Sequence, residues 1–357
     1  MNLNYPQKKT IEDILELSRQ NNGYNSTDFD VDGEIFYGDN FDVLSKLINS
    51  PHKGKVDLIY IDPPFCTGND FVVGGGRTST ISRPKNGKIA YSDKFDEEDY
   101  LEFMRERLVL LREMLSQQGS IYLHIDTKIG HYVKIIMDEI FGRNNFLNDI
   151  TRRKSNPKNF TRKAYGNEKD VIYFYAKNNG KHIWNDIKEN YCESDLIKRF
   201  AKVDEKGRRY TTVPIHAPGE SSGETGGIWK GMHPPNGRHW RVPPKELDKL
   251  DAKGLIEWSK TGNPRLKKFA DEHKGKKIQD IWLNFKDSQY PEYPSQKNIF
   301  ILELIIKQSS NEGSLVMDAF AGSGNFLLAA KQLNRQFIGI DKSPMAIELM
   351  KEKLRGR

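Results

Sequence analysis

The sequence predicts an α/β fold built on a doubly wound, mostly parallel sheet that a long inserted region interrupts. Three observations lead to this prediction. Strand and helix patterns alternate in the first part of the chain, residues 314–341 form a clear strand–helix–strand unit, and the alternation disappears between the two. The chain of 357 residues is long enough for one large α/β domain with an insertion. We therefore divide it into 1–143, 144–290 and 291–357.

The first elements of the chain are short and amphipathic. A helix is predicted at 10–20, with Thr10 as its N-cap and Asp13 as an imperfect capping-box partner. A strand at 34–40 and a helix at 41–48 follow, the latter with its apolar residues on one face. These elements predict a strand–helix–strand arrangement that leads into the next apolar run.

That apolar run, at 56–61, predicts a buried parallel strand that presents Asp62-Pro63-Pro64-Phe65 at its C-terminal end, where open α/β sheets bind ligands. The two prolines make the Asp62 carboxylate and the nearby carbonyls rigid acceptors, and Phe65 adds a flat apolar surface. Two acceptors on the N–H groups of an exocyclic amine would make its nitrogen more nucleophilic while the ring holds a flat heterocycle. The alternative interpretation is a stiff turn after a strand.

The chain then continues with a loop and three further elements. A glycine-rich run at 74–87 predicts a loop beside the site, either a lid or arm, or a disordered insertion. Apolar residues at helical spacing predict a helix at 101–115 that ends at the C-cap Gly119. A strand at 120–126 and a helix at 128–140 complete the first part.

The inserted region is strongly basic. Between residues 151 and 290 there are 30 lysines and arginines against 18 acidic residues, a balance of +12 in a chain of net charge +7. Aromatic residues are interleaved with these cations, a pattern that suits a nucleic acid. The candidate DNA contacts are Arg152, Arg153, Lys154, Arg238, His239, Trp240 and Arg241. Alternatively the lysines form a solvated surface and the aromatics a small core. An apolar run at 170–175 predicts an edge strand of the main sheet.

The last part predicts a nucleoside site. A helix is expected at 299–306, and the later strand–helix–strand unit carries the glycine turn with Gly322 and Gly324 after its first strand and Asp341 at the end of its second. A P-loop NTPase is disfavoured because no Gly-Lys-Ser/Thr follows, and Leu327 replaces the third glycine of a dinucleotide fingerprint. S-adenosylmethionine fits better than NAD, because an aspartate before the turn would repel a pyrophosphate but pair with an ammonium group.

Composition excludes several other classes. The only two cysteines, Cys66 and Cys192, allow no disulfide framework, and neither follows a proline as the nucleophile of C5-cytosine methyltransferases does. The histidines lack the spacing of a metal site, so we expect no metal. No apolar run is long enough to span a membrane, and residues 1–20 lack the apolar core of a signal peptide, so a cytoplasmic protein is expected.

The catalytic motif at 62–65 and the later Asp318-Ala319-Phe320-Ala321-Gly322-Ser323-Gly324 together resemble the β-class amino-methyltransferases of DNA. In that class the catalytic motif precedes the cofactor motif, a circularly permuted order, with the target-recognition region between them. The resemblance implies the S-adenosylmethionine-dependent methyltransferase fold. It implies the catalytic residues Asp62, Pro63, Pro64 and Phe65. It also implies the cofactor-binding residues Asp39, Asp62, Lys297, Asp318, Phe320, Gly322, Ser323, Gly324 and Asp341.

This sequence departs from the family pattern at a few positions. The family more often has proline at the position of Ala319, threonine at Asn325, proline at Asn298 and tyrosine at Phe65. These departures bear on the roles of Asn325 and Lys297. The remaining aspartates and glycines of the two motifs match, and Phe65 keeps the stacking surface without the hydroxyl.

The resemblance implies methyl transfer from S-adenosylmethionine to N6 of an adenine flipped out of double-stranded DNA. Aspartate at position 62 resembles adenine-N6 enzymes, whereas cytosine-N4 enzymes usually have serine there. The alternatives are a cytosine-N4 methyltransferase, an inactive DNA-binding subunit of a larger complex, and a methyltransferase acting on protein or RNA. The partners implied are a cognate restriction endonuclease and a second copy of the chain, in a bacterial or archaeal cell or encoded by a phage.

Overall fold

A computed structural model describes residues 2–21, 26–30, 33–66, 70–73, 88–92, 95–155, 163–288, 293 and 296–356. The glycine-rich loop predicted at 74–87 lies outside the described residues. Over the described parts of the chain, no helix is long and apolar enough to cross a membrane.

The helices follow the sequence pattern closely. In chain order they are α1 Ile11–Gln20, α2 Asn40–Leu47, α3 Glu97–Met114, α4 Gly130–Phe141, α5 Glu193–Arg199, α6 Pro244–Ala252, α7 Ile299–Ser309, α8 Asn325–Gln332 and α9 Pro344–Arg355. The capping box predicted for α1 is confirmed, because the Thr10 hydroxyl accepts a hydrogen bond from the Asp13 N–H and the Asp13 carboxylate accepts one from the Thr10 N–H.

The strands include the expected buried ones and many short ones. The first ten are β1 Ser26–Asp30, β2 Gly33–Tyr37, β3 Val56–Ile61, β4 Asp70–Val73, β5 Lys88–Ser92, β6 Leu115–Ile125, β7 Phe146–Arg153, β8 Lys169–Ala176, β9 Lys188–Glu189 and β10 Lys202–Val203. The others are β11 Arg209–Pro214, β12 His216–Pro218, β13 Arg238–Trp240, β14 Ile256–Trp258, β15 Pro264–Phe269, β16 Lys276–Lys277, β17 Ile281–Trp282, β18 Leu315–Asp318 and β19 Gln336–Asp341. The strand predicted at 56–61 is confirmed with the same bounds.

A mixed, mostly parallel sheet forms the centre of the fold. Its order is β1-β2-β19-β18-β3-β6-β8-β7-β17, and the pairs from β2 to β6 are parallel. Alternate strand residues face opposite helical layers. Ile59 belongs to a core shared with α1 to α4, whereas Tyr60 stacks on Phe326 of α8 at 5.5 Å between ring centroids. The predicted doubly wound α/β fold is therefore confirmed.

Strand β8 is not the edge strand that the sequence predicted. It lies between β6 and β7, and β17 pairs with the outer side of β7. The prediction is wrong because the arginines of β7 place that segment in the basic region of the sequence. In the structure β7 is a further strand of the main sheet, where its Ile150 pairs with Ile172 of β8. Residues 146–153 therefore belong to the main sheet.

Gly119 is also placed differently from the prediction. Helix α3 ends at Met114, and the chain turns directly into β6 at Leu115, so Gly119 lies within a strand and does not cap the helix. A Cβ at this position would lie 2.7 Å from the Val56 carbonyl oxygen. Glycine is thus explained by the close approach of two strands.

The chain divides into two compact units. One comprises residues 1–187 and 279–357, and the other comprises 188–278. The second unit is narrower than the inserted region 144–290 expected from the sequence, because both flanks of that region contribute strands to the main sheet. It contains the four-stranded sheet β10-β11-β15-β14, the hairpin β12-β13 and a small core that includes Trp229 and Trp240.

Candidate functional site

A pocket lies at the carboxyl ends of the central parallel strands. Strands β3, β18 and β19 deliver Asp62, Asp318 and Asp341 to it, and α2 contributes Asp39 at its N-terminus. This is the edge at which open α/β sheets bind ligands. The pocket is lined by Gly38, Asp39, Asn40, Tyr60, Asp62, Pro64, Phe95, Phe103, Tyr293, Gln296, Lys297, Leu302, Asp318, Ala319, Phe320, Ala321, Gly322, Ser323, Asn325, Phe326, Asp341 and Lys342.

The glycine turn between β18 and α8 forms one wall. Gly322 and Gly324 have φ values of 52° and 75°, in the left-handed region that favours glycine. A Cβ on Gly324 would lie 2.6 Å from Met350 Cγ, so α9 packs directly against this turn. The Gly322 N–H donates a 2.8 Å hydrogen bond to Asp341 Oδ2, which joins the turn to the end of β19.

A buried carboxylate, that of Asp318, and a partly buried one, that of Asp341, share the pocket with Asp62. Asp318 is 3% exposed and accepts one hydrogen bond, from the Phe320 N–H. Burial, reinforced by the charges of Asp62 and Asp341, raises the pKa of Asp318 well above its ordinary value. Burial likewise raises the pKa of Asp341. A cationic ligand would relieve this crowding of negative charge.

A buried arginine that sequence reasoning missed supports Asp39. Asp39 Oδ1 accepts hydrogen bonds from the Phe41 N–H and from Arg107 Nη2, each 2.8 Å long. Arg107 is 6% exposed, and its guanidinium lies over the Phe103 ring at 3.7 Å from the centroid. Arg107 also donates to Asn40, which in turn donates to the Ala319 carbonyl. No sequence signal identifies Arg107, because it lies among charged residues inside a long helix.

The catalytic candidates lie directly after β3. The Pro64 carbonyl accepts a hydrogen bond from the Tyr100 hydroxyl, which fixes the loop against α3. Asp62 Oδ2 lies 2.7 Å from Lys297 Nζ, whereas Asp62 Oδ1 is buried and has no hydrogen-bond partner among the described residues. The Lys297 ammonium also lies 5.1 Å from the centroid of the Phe65 ring. One carboxylate oxygen therefore pairs with a cation, and the other keeps its capacity to accept hydrogen bonds unused within the described part of the chain.

The structure corrects two of the seven predicted DNA contacts. Arg152 is fully buried, and it donates to the Phe285 carbonyl and pairs with Asp287 because β7 lies inside the sheet. Trp240 is 2% exposed, packs edge-to-face on Trp229 and donates to the Gly227 carbonyl, so it belongs to the core of the second unit. Both side chains are used inside the protein.

The other predicted contacts fall into two groups. Arg153 and Lys154 pair with the protein's own carboxylates, Arg153 with Glu168 and Lys154 with Asp170 and Asp126. On the strand pair β12-β13 and just after it, His239 contacts the Gly219 carbonyl and Arg241 donates to the Pro214 carbonyl, whereas Arg238 Nε has no hydrogen-bond partner among the described residues. Neither Arg238 nor Arg241 forms an ion pair with another described residue.

Comparisons with known proteins find similar sequences among type II methyltransferases and type III restriction-modification enzymes. The chain is 41% identical over 364 residues to the type II methyltransferase M.EcaI of Enterobacter cloacae, covering 98% of this chain and 77% of that protein. It is 27% identical to the StyLTI Mod subunit, part of a type III restriction-modification enzyme of Salmonella typhimurium, and spans half of its length. The crystal structure of the M1.HpyAVI–SAM complex matches 89% of this chain and 97% of that chain at 18% identity, with a TM-score of 0.44.

The sequence pattern of a whole family also fits. Residues 56–352 match the family described as DNA methylase, the N6 and N4 methyltransferases. The matched segment includes both the catalytic loop after β3 and the glycine turn after β18. With this match and the close relative in Enterobacter cloacae, the chain belongs to the N6/N4 DNA methylase family.

Proposed function

We propose that this enzyme transfers a methyl group from S-adenosylmethionine to N6 of an adenine flipped out of double-stranded DNA. The observation that carries the proposal is the Asp62 carboxylate, which lines the pocket together with Asp318 and Asp341 and has one oxygen without a hydrogen-bond partner among the described residues. On this proposal, the carboxylate that accepts hydrogen bonds from the substrate amine and the site that binds a positively charged nucleoside belong to the same unit of the chain.

The donor set fits S-adenosylmethionine. Four of the described residues that line the pocket are aspartates and two are lysines, so the pocket favours a ligand with positive sulfonium and ammonium groups. We assign Asp39 to the adenine, Asp341 to the ribose hydroxyls and Asp318 to the ammonium group. We assign the remaining contacts between the cofactor and the pocket wall to Phe320, Gly322, Ser323 and Gly324. When bound, this cofactor supplies an electrophilic methyl group.

The catalytic loop would activate the amine by orienting it. Asp62 Oδ1 and the Pro63 carbonyl each accept one N–H of the exocyclic amino group, which draws the nitrogen towards a tetrahedral and more nucleophilic geometry. Phe65 stacks on the flipped base. Transfer is then a direct in-line displacement without a covalent enzyme intermediate, and the amine afterwards releases a proton to water or through Asp62.

The choice of adenine rests on the residue type at the first motif position. Asp62 matches the adenine enzymes of the resembled class, in which serine is usual for cytosine N4. A cytosine-N4 enzyme would use the same pocket and the same displacement, so the methylated base itself must be identified.

The proposed DNA contacts are in the second unit. Arg238, His239 and Arg241 lie on or beside one hairpin, and the two arginines have donors that no described carboxylate takes. Arginines without a carboxylate partner suit phosphate groups. The relatives named above belong to restriction-modification systems, so we propose a modification role in a bacterial cytoplasm, with a cognate nuclease and a second copy of the chain as candidate partners.

The test is nucleoside mass spectrometry of unmethylated plasmid DNA after incubation with the protein and S-adenosylmethionine. We expect N6-methyladenine, and we expect none with Asp62→Ala even though that variant still binds the cofactor. N4-methylcytosine would replace the base assignment and keep the mechanism. Absence of any methylated base, with cofactor bound, would contradict the proposal and favour an inactive subunit or another substrate.

A further inference from the structure

Lys297 places a buried cation against the catalytic carboxylate. Its Nζ lies 2.7 Å from Asp62 Oδ2, and the two side chains are 7% and 13% exposed. An ion pair with so little exposure is oriented by its surroundings much more firmly than a surface pair. Because Oδ2 pairs with the ammonium group, Oδ1 is the oxygen left without a hydrogen-bond partner among the described residues, in a side chain that lines the pocket.

The backbone on both sides of Lys297 is fixed by asparagines. The Asn325 side chain donates a 3.0 Å hydrogen bond to the Lys297 carbonyl. Asn298 caps α7, its N–H donates to Asp287, and its side chain donates to the Lys286 carbonyl. Asn298 and Asn325 are two of the positions at which this sequence departs from the pattern of the class it resembles. In this chain they hold the lysine in place.

We propose that Lys297 is a positioning residue that acts through Asp62, and this inference rests on the proposed function. The ammonium group holds Oδ2 so that Oδ1 points at the substrate amine. In the reaction the amine nitrogen forms a bond to the methyl carbon while the bond from that carbon to sulfur breaks, its electron pair staying on sulfur. The methylated amine then carries a positive charge, and the adjacent Lys297 cation favours loss of one of its protons to water.

This role differs from that of a cofactor ligand, the role implied for Lys297 by resemblance. A ligand of the cofactor carboxylate would contribute to cofactor affinity, whereas a residue that orients Asp62 contributes to the transfer step. Loss of a cofactor ligand should therefore change the dissociation constant and leave the rate at saturation unchanged. Loss of a residue that orients Asp62 should change the rate at saturation and leave the dissociation constant unchanged.

The experiment compares Lys297→Met and Lys297→Arg in the full chain with Lys307→Met as the control. Lys307 is a lysine of α7 that pairs only with Glu303 on the surface, with its side chain 43% exposed. For each variant we would measure the dissociation constant of S-adenosylmethionine, the single-turnover methylation rate at saturating cofactor and DNA, and the melting temperature.

We expect Lys297→Met to lower the single-turnover rate about 100-fold, the scale of a lost preorganised interaction, and to change the cofactor dissociation constant less than about threefold. Lys297→Arg should recover at least about a tenth of the normal rate because it restores the cation. In an Asp62→Asn background, Lys297→Met should have no further effect on the rate.

Three results would overturn the inference. A weaker cofactor affinity with a normal rate at saturation would make Lys297 a cofactor ligand. Equal losses for arginine and methionine, together with a lowered melting temperature, would make it a structural residue. An undiminished rate in Lys297→Met would leave it no role. The proposed function fails separately, because in that case the unmodified protein itself methylates no base.

Discussion

The Tyr60 hydroxyl, two residues before Asp62, lies 2.9 Å from His124 Nδ1, and this contact begins a buried polar chain. His124 Nε2 lies 3.3 Å from Asp170, which pairs with Lys154. Burial and the charge of Lys297 lower the pKa of His124, whereas the hydrogen bond from His124 helps to lower the pKa of Asp170 despite its burial. A neutral His124 therefore donates to an ionised Asp170 and accepts from Tyr60.

Removal of the Tyr60 hydroxyl should destabilise the protein. In Tyr60→Phe the buried His124 Nδ1 loses its donor, which should lower the free energy of unfolding by about 1–3 kcal/mol. Tyr122→Phe is the matched control, since that buried hydroxyl contacts Ser309, whose own hydroxyl can rotate to another acceptor. Denaturant unfolding would measure both. Equal losses would mean that the chain through His124 gives no additional stability.

Arg107 should control cofactor affinity through Asp39. Arg107→Met leaves the Asp39 carboxylate without its cation and removes the guanidinium from the Phe103 ring. We expect the dissociation constant of S-adenosylmethionine to rise about tenfold, equivalent to about 1.4 kcal/mol, with little change in rate at saturation. Calorimetric titration would measure it.

The control for this prediction is Arg112→Met in the same helix, where the side chain is 39% exposed and contacts Glu113. Arg107→Lys, which keeps the cation but not the planar group, should fall between the two. An unchanged cofactor affinity in a folded Arg107→Met protein would show that Arg107 does not act on cofactor binding through Asp39.

Local sequence patterns predict the strands and helices around the site. They do not predict which side chains far apart in the sequence contact each other. The strand at 56–61 was predicted with its bounds because an uninterrupted apolar run between turn signals has few other structures available. Nothing local in the sequence indicates that Arg152 is buried, because its partner Asp287 lies 135 positions further along the chain. The same reason hid the contact between Asp62 and Lys297, since no local pattern indicates which buried groups meet.

The Asp318 carboxylate should lower the stability of the cofactor-free protein and strengthen cofactor binding. Its pKa is raised above the ordinary value of 3.8 by burial and by the neighbouring carboxylates. The folded state therefore binds this proton more tightly than the unfolded chain, so the group favours folding at low pH. That contribution is lost as the pH rises from 3.8 through the folded pKa. Asp318→Asn, whose side chain stays neutral, should not lose folding stability in this way as the pH rises.

The measurement is the melting temperature of both proteins without cofactor from pH 5 to pH 8. The difference in favour of Asp318→Asn should grow as the pH rises, while its affinity for S-adenosylmethionine at pH 8 falls at least about tenfold because the ammonium group loses its carboxylate. A difference that stays constant with pH would show that Asp318 is not protonated on folding.

Arg152 and Arg241 should give opposite results although both were predicted to contact DNA. Arg152→Met removes a fully buried guanidinium together with its bonds to Asp287 and to the Phe285 carbonyl, which should cost about 1–3 kcal/mol of folding stability. Arg241 is exposed and has no ion pair among the described residues, so Arg241→Ala should leave the melting temperature nearly unchanged.

Their effects on DNA binding should differ in the same way. If Arg241 contacts a phosphate, its loss weakens binding to every sequence and lowers the slope of log affinity against log salt by about one. Arg152→Met should leave that slope unchanged at a temperature where the variant is folded. Fluorescence anisotropy with duplex DNA over a range of salt concentrations would measure both slopes. A reduced slope for Arg152→Met with a normal one for Arg241→Ala would mean that the buried arginine becomes exposed when DNA binds, and the second unit would then need another phosphate contact.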